Sequence, residues 1–243
     1  MLHETRETRT IQLYQSAEHP CAYLDQKQSR SLFVDPHQVQ SMRIYEALID
    51  QGFRRSGDII YRPDCLNCNQ CISLRIPVAE FSPRRIQRRI WNRHHEHFRV
   101  VEQTAEFNPD HFTLFKRYIH SRHPDGEMEE TSEAGYQQFI ASSWSNSRSF
   151  TFYYQDRLVA VAVADILRQG LSAVYTFFDP EIESLSPGVF CLLWQINECK
   201  RRHLPWLYLG YWVPDCRKMS YKSQYLPHDA YINGTWVRIQ RHE

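Results

Sequence analysis

Apolar positions in the second half of the chain follow two rhythms. The runs SFTFYY, LVAVAVADIL and LSAVYTFF are dense in β-branched and aromatic residues, which predicts strands, the first two joined at Gln155-Asp156-Arg157. Ahead of them, Phe112, Phe115, Tyr118 and Ile119 recur at helical spacing. Tyr136, Phe139, Ile140 and Trp144 do the same after Ser132, a natural N-cap. Behind them, Ser186-Pro187-Gly188 sets a cap and a first-turn proline before a long helix over 189–202. WLYLGYWV then reads as a buried strand, and 231–239 as one more. Helices, a series of antiparallel strands, a long helix and a strand make an α+β layered domain.

The first half is less regular. Met42, Tyr45, Leu48 and Ile49 mark a helix closed by Gly52, and GFRRSGDIIYRPDC reads as a short hairpin. A strand is expected over 74–78, and Pro83 opens a basic helical segment, PRRIQRRIWNRHHEHF. The texture changes near 103–109, which predicts a Cys-cluster and basic-helix domain over 1–103 and a second domain over 104–243.

Composition narrows the classes. With 42% hydrophobic and 23% charged residues the chain reads as an ordinary folded protein. The net charge of +1 requires any nucleic-acid contact to come from a local patch. No apolar run approaches the ~18 residues of a membrane span, and the polar start lacks a signal-peptide core, so a cytoplasmic protein with no membrane contact is expected. An aromatic content of 14% can fill cores, stack on bases or line apolar pockets.

Three features carry candidate chemistry. Cys65, Cys68 and Cys71 are spaced two residues apart, and Cys21 is the candidate fourth ligand of zinc or an iron–sulfur cluster. Reduced structural thiols are the alternative, and Cys191, Cys199 and Cys216 read as incidental. Arg84, Arg85, Arg88 and Arg89 form a cationic stripe suited to RNA phosphates, against the alternative of a solvated helix face. Between 171 and 225, the strand ending at Asp179-Pro180 and the following helix start bring together a carboxylate, phenols and free backbone N–H groups. Core packing does not explain Lys218, Tyr221 and Lys222 directly after a buried strand.

The segments YTFFDP, SPGVFCLLWQI and GYWVPDCRKMSYKSQYLP resemble the C-terminal signature of the arginyl/leucyl-tRNA–protein transferases. SRHPDGEM, HPCAYL, GFRRSGDIIYRPDCLNCNQCISLRIPV and FSPRRIQRR resemble the rest of that family, in family order. Chain length and the CxxCxxC form are similar to the short bacterial branch. The resemblance implies an enzyme that takes leucine from an aminoacyl-tRNA and joins it to proteins beginning with Asp or Glu, creating a degradation signal. It also implies an acetyltransferase-like (GNAT) second half.

The ester of an aminoacyl-tRNA is already activated, so no nucleotide or CoA is required, and an N-terminal amine of pKa roughly 7.7–8.0 is partly neutral at cell pH. Orientation, oxyanion stabilisation and proton removal remain for the enzyme. Asp179 is the expected proton acceptor or amine-orienting carboxylate, with Tyr175 as its hydrogen-bond partner. Arg75, Arg122, His123 and Lys218 are candidates to receive the acceptor's acidic side chain, with Tyr221 beside them. The competing readings are transfer of arginine to the same acceptors, a CoA-dependent acetyltransferase and a non-catalytic zinc-ribbon RNA-binding protein. The second lacks the usual Gly-rich pyrophosphate loop, since Ser184-Leu185-Ser186-Pro187-Gly188 stands before the helix, and the third leaves the C-terminal half unexplained.

Overall fold

A computed structural model of the chain describes residues 10–38, 41–122, 126 and 128–241. The chain runs through β1 (Leu13–Gln15), β2 (His19–Pro20), β3 (Gln28–Ser29), β4 (Ser31–Val34), α1 (Met42–Ile49), β5 (Arg54–Ser56) and β6 (Ile59–Pro63). Next come β7 (Ile72–Pro77), α2 (Arg85–His94), β8 (Phe98–Thr104), α3 (Pro109–Arg122) and α4 (Glu133–Ile140). β9 (Ser147–Tyr154), β10 (Arg157–Leu167), β11 (Gly170–Phe178), α5 (Pro187–Arg201), β12 (Trp206–Trp212), β13 (His228–Ile232) and β14 (Thr235–Ile239) complete the series. Two 3-10 segments, Pro180–Leu185 and Arg217–Gln224, flank α5 and β12.

Local signals act where the sequence places them. The Ser41 hydroxyl accepts from the Ile44 N–H at the start of α1, and Ser132 accepts from the Gly135 N–H at the start of α4. The β9–β10 turn puts Gln155 and Asp156 at φ 49° and 61°, the left-handed pair whose twist matches a two-residue hairpin.

An eight-stranded sheet in the order β14-β13-β7-β12-β11-β10-β9-β8 forms the main layer. The Ala/Val alternation of β10 explains its two faces. Ala160, Ala162 and Ala164 leave room on one side for Phe150, Phe152 and, from α5, Phe190 and Cys191. Val161 and Val163 face Phe115 and Ile119 of α3 and Tyr136 and Ile140 of α4. Each such side chain, fully buried, contributes about 1.5–3 kcal/mol of hydrophobic stabilisation.

The sheet does not respect the boundary at 103/104. β7 and β8 precede it and lie inside the main sheet, while Val34, Tyr45 and Phe53 share a core with Leu167 and Tyr208. The four-stranded sheet β1-β4-β6-β5 is what remains of a separate N-terminal unit. No apolar rhythm marks β8, because only Phe98 among its residues is buried. The expected tail strand is a hairpin, β13–β14.

One break in the sheet positions everything that follows. β11 and β12 are parallel and pair only over Gly170–Ser172 with Trp206–Tyr208, beyond which they share no register. The closed end depends on Gly170, where a Cβ would lie 2.5 Å from the Trp206 carbonyl oxygen. Gly210 sits at φ +75° where β12 departs, a conformation that strains any residue with a Cβ. The result is a wedge between two diverging strands. β11 residues 173–176 become half-exposed there.

Candidate functional site

The wedge is occupied by cations. Arg54, carried in by β5, is only 6% exposed; its Nη2 donates to the Ala173 carbonyl at 2.7 Å, just where β11 leaves β12. The Nε lies 3.5 Å from where a Gly210 Cβ would stand, so the guanidinium spans the gap from one strand to the other. Its Nη1 is buried and has no hydrogen-bond partner. The Arg217–Gln224 segment supplies Lys222, whose ammonium donates to the Tyr211 carbonyl of β12 at 2.6 Å. Burial, with the Arg54 guanidinium nearby, pushes the Lys222 amine down to about 7. Among the described residues no carboxylate comes within ion-pair distance of either cation. The ionisable groups within electrostatic reach of Arg54 include Tyr45, Tyr61 and Tyr211, phenols whose pKa values burial raises and which stay neutral.

On the β11 side the wedge is walled by aromatic rings. Tyr175 packs against Tyr118 and Phe139, with ring centroids 6.3 and 5.2 Å away. The Tyr221 phenol, 48% exposed, lies within its electrostatic reach. Burial raises the Tyr175 pKa, so its hydroxyl is a neutral donor or acceptor. The structure therefore gathers Tyr175 and Tyr221, expected from the sequence, and adds Tyr118.

Asp179 does not face this space as a free base. It is 0% exposed, its Oδ1 accepts from Arg117 at 2.8 Å and from the Glu181 N–H at 3.1 Å, and its Oδ2 accepts from Arg157. Oδ1 caps the 3-10 turn, and each oxygen holds an arginine, so the carboxylate is already engaged on both sides. The expectation of a proton acceptor at Asp179 gives way to a structural one.

Arg75 is also taken. It bonds Asp229 and Asp50 at 3.2 Å each and lies between the rings of Trp206 and Trp236, 3.8 and 4.2 Å from their centroids. Two carboxylates and two indole rings already engage this guanidinium. Arg122 pairs with Glu183 and lies over Phe178. Lys218 is exposed on the Arg217–Gln224 segment, and His123 falls outside the described residues.

The cysteines of the cluster lie within electrostatic reach of Cys71. Cys21, Cys65, Cys68 and Cys71 are half-buried free thiols, and Cys71 is pushed up to about 12 by burial and by the neighbouring Cys65, Cys21, Cys68 and Cys216. Cys216, read as incidental, thus joins from the far side of the sequence. A cluster of soft sulfur donors suits zinc or an iron–sulfur centre. Among the described residues no three His, Cys, Asp or Glu side chains converge at metal-ligand distances. Cys191 and Cys199 are ordinary core residues.

Arg84, Arg85, Arg88 and Arg89 are all exposed, and among the described residues none has a carboxylate partner. Arg84 caps α2 and donates to Gln224 at 3.2 Å, which sets the cationic stripe beside the segment that carries Lys222. A cleft of about 220 Å³ between α2 and α5, with Arg88 and Lys200 in its wall, continues this face. Among the described residues no helix is long and apolar enough to cross a membrane.

Arg54 and Lys222 are the residues that sequence reasoning passed over as site candidates. Arg54 is one of two arginines in a hairpin, and only the absence of a partner distinguishes it from Arg55. For Lys222 the signal was present, a cation directly after a buried strand.

Comparison with known proteins gives a consistent answer. Residues 19–89 match the family described as arginine-tRNA-protein transferase, N terminus, and residues 110–232 match its C terminus. The chain is 45% identical over 233 residues to the aspartate/glutamate leucyltransferase of Pseudomonas aeruginosa (strain LESB58), covering 96% of this chain and 99% of that one. It is 45% identical over 227 residues to the aspartate/glutamate leucyltransferase of Alcanivorax borkumensis, covering 93% of each. Among solved structures, L-PGS from Bacillus licheniformis aligns with a TM-score of 0.45 at 9% identity, over 70% of this chain and 50% of that one, too loose a likeness to carry an argument. With both halves matched and near full-length relatives at this identity, the chain belongs to the arginine-tRNA-protein transferase family.

Proposed function

We propose that the protein transfers leucine from leucyl-tRNA to the N-terminal Asp or Glu of acceptor proteins, marking them for degradation, and that the transfer takes place in the wedge between β11 and β12. Near full-length identity to aspartate/glutamate leucyltransferases is the observation that carries the activity. The parallel strands that pair over three residues and then diverge support an acetyltransferase-like (GNAT) arrangement, in which an acyl group lies against a splayed strand edge.

The chemistry needs little beyond placement. The acceptor's neutral α-amine attacks the leucyl ester carbonyl, the new C–N bond forms, and the bond to the ribose oxygen breaks. The amine's proton is lost, and the departing ribose oxygen takes one up. Backbone N–H groups on the edge of β11 beyond its pairing with β12 would stabilise the oxyanion, and Tyr175, Tyr118 and Tyr221 would line a space for the leucyl group and its ester. Arg84, Arg85, Arg88 and Arg89 hold the tRNA backbone, with Arg84 fixing the approach to the wedge through Gln224. Cys21, Cys65, Cys68 and Cys71 are the residues that would hold zinc or an iron–sulfur cluster, which would tie the 65–71 turn to the N-terminal segment. Seven free thiols and a tRNA substrate suit the reducing cytosol.

The test offers leucyl-tRNA and arginyl-tRNA, each labelled on the amino acid, with peptides beginning Asp, Glu, Ala or Lys. Label moves from leucyl-tRNA to Asp and Glu peptides. Transfer from arginyl-tRNA alone overturns the donor assignment, and transfer to Lys or Ala peptides overturns the acceptor assignment.

A further inference from the structure

Two basic side chains are held in the wedge without an anion, and that is an unusual state for a folded protein. A buried guanidinium ordinarily finds a carboxylate, because desolvation is costly unless Coulomb attraction and hydrogen bonds offset it. Arg55 and Arg75 do so. Arg55, next to Arg54 and also 6% exposed, bonds Asp165 through Nε at 2.7 Å and Nη2 at 2.6 Å. Arg75 has Asp229 and Asp50. Arg54 has one backbone carbonyl and a bare Nη1. Beside it, the Lys222 ammonium has one backbone carbonyl. Each disfavours charge on the other, and the fold keeps them together without an anion.

We infer that Arg54 and Lys222 form the subsite that receives the side-chain carboxylate of the acceptor's N-terminal Asp or Glu. This deepens, and rests on, the proposed transfer to acidic N-termini. The position fits the chemistry. Arg54 holds the Ala173 carbonyl at the first residue of β11 beyond the parallel pairing, and Lys222 holds the Tyr211 carbonyl on the opposite strand. A carboxylate entering between them has a strand edge on either side, and its own α-amine is carried to the open edge of β11. A carboxylate suits the two donors better than a tRNA phosphate does. The guanidinium lies deep between strands, whereas the exposed, unpaired arginines that suit a phosphate backbone are on α2.

Arg54 and Lys222 are positioning and specificity residues in this account, so the readout is a ratio. Transfer from leucyl-tRNA is measured as kcat/KM on peptides beginning Asp and Asn, which differ in charge and hardly in shape, for the native enzyme and for Arg54→Gln, Lys222→Met and Arg54→Lys. The native enzyme prefers Asp by about 10²-fold or more, as expected when a buried charge pair loses one partner. Arg54→Gln and Lys222→Met bring that ratio towards one by slowing transfer to Asp far more than transfer to Asn, and Arg54→Lys keeps part of the preference. Melting temperatures identify any variant that has failed to fold, and the remaining variants carry the test. An unchanged ratio in folded variants overturns the inference, as does an equal loss on both peptides. Weakened tRNA binding with the ratio intact assigns the pair to a phosphate and also overturns it. If the native enzyme transfers leucine to neither Asp nor Glu peptides, the proposed activity fails first and separately.

Discussion

Arg54 and Arg55 are consecutive, equally buried, and point to opposite sides of β5, and the contrast between what each meets separates the scaffold of this protein from its site. Arg55 enters a closed network in which Asp165 accepts from both ends of its guanidinium and from Ser147 at 2.7 Å, and the Ile140 carbonyl takes a further bond. Every charge there is answered, and the network locks β5 to the main sheet and to the end of α4. Arg54 enters a gap between strands with one donor unused. The same residue type at the same depth does different work according to whether the fold supplies the anion or leaves it to a ligand.

The largest expected effect is on the closed side. Asp165→Ala strands a buried guanidinium and costs about 3–5 kcal/mol in urea unfolding. Arg54→Gln, by contrast, removes no ion pair, so unfolding shifts by no more than about 1 kcal/mol while transfer to an Asp-starting peptide falls about 10²-fold. Equal destabilisation by the two substitutions breaks the distinction.

Asp179 belongs with Arg55. Asp179→Asn removes the buried one of the two carboxylates that Arg117 and Arg157 share, Glu181 being the other, and costs about 1–3 kcal/mol of stability, while the transfer rate of the folded variant stays within a few-fold of native. A rate loss of about 10²-fold at unchanged stability restores the proton-acceptor role that the sequence suggests.

The smallest effect is a pH dependence on the scaffold side. Burial alone pushes Glu198 upwards, but hydrogen bonds from Arg201 and Arg202 outweigh it and hold the carboxyl below its ordinary value. Its contribution is therefore complete above the unfolded carboxylate pKa of about 4.3 and is lost as pH falls through the lower folded value. Glu198→Gln removes that part of the acid dependence, so its melting temperature falls less steeply below about pH 4.3 than that of the native protein. Parallel curves contradict the pairing.

The rhythm of apolar residues made β9, β10, β11, β12 and four of the five helices legible, because one buried face imposes its period on the sequence, while α2 was legible from Pro83 and its basic run. The Ala/Val alternation of β10 even records which side meets bulky aromatic rings. The wedge leaves no such trace. Three residue pairs of parallel contact are set by how β7 and β10 hold β12 and β11 from their outer sides, which is tertiary geometry. Arg54 and Arg55 look alike in sequence, since what separates them is the position of Asp165, a hundred residues away in the chain. Cys216 escaped for the same reason, as spacing betrays ligands on one turn and not those that arrive from another element. The carboxylate at Asp179-Pro180 attracted a catalytic reading because its two arginines, Arg117 and Arg157, come from other elements.

The most direct test of the account is a single-turnover reaction of the native enzyme with preloaded leucyl-tRNA and a peptide beginning Asp, in the absence of ATP and CoA. The account predicts that leucine leaves the tRNA and appears in a peptide bond at the Asp amine, and that the same peptide beginning Asn accepts it about 10²-fold more slowly. Leucine that remains on the tRNA until CoA is supplied, or that passes equally to both peptides, contradicts it.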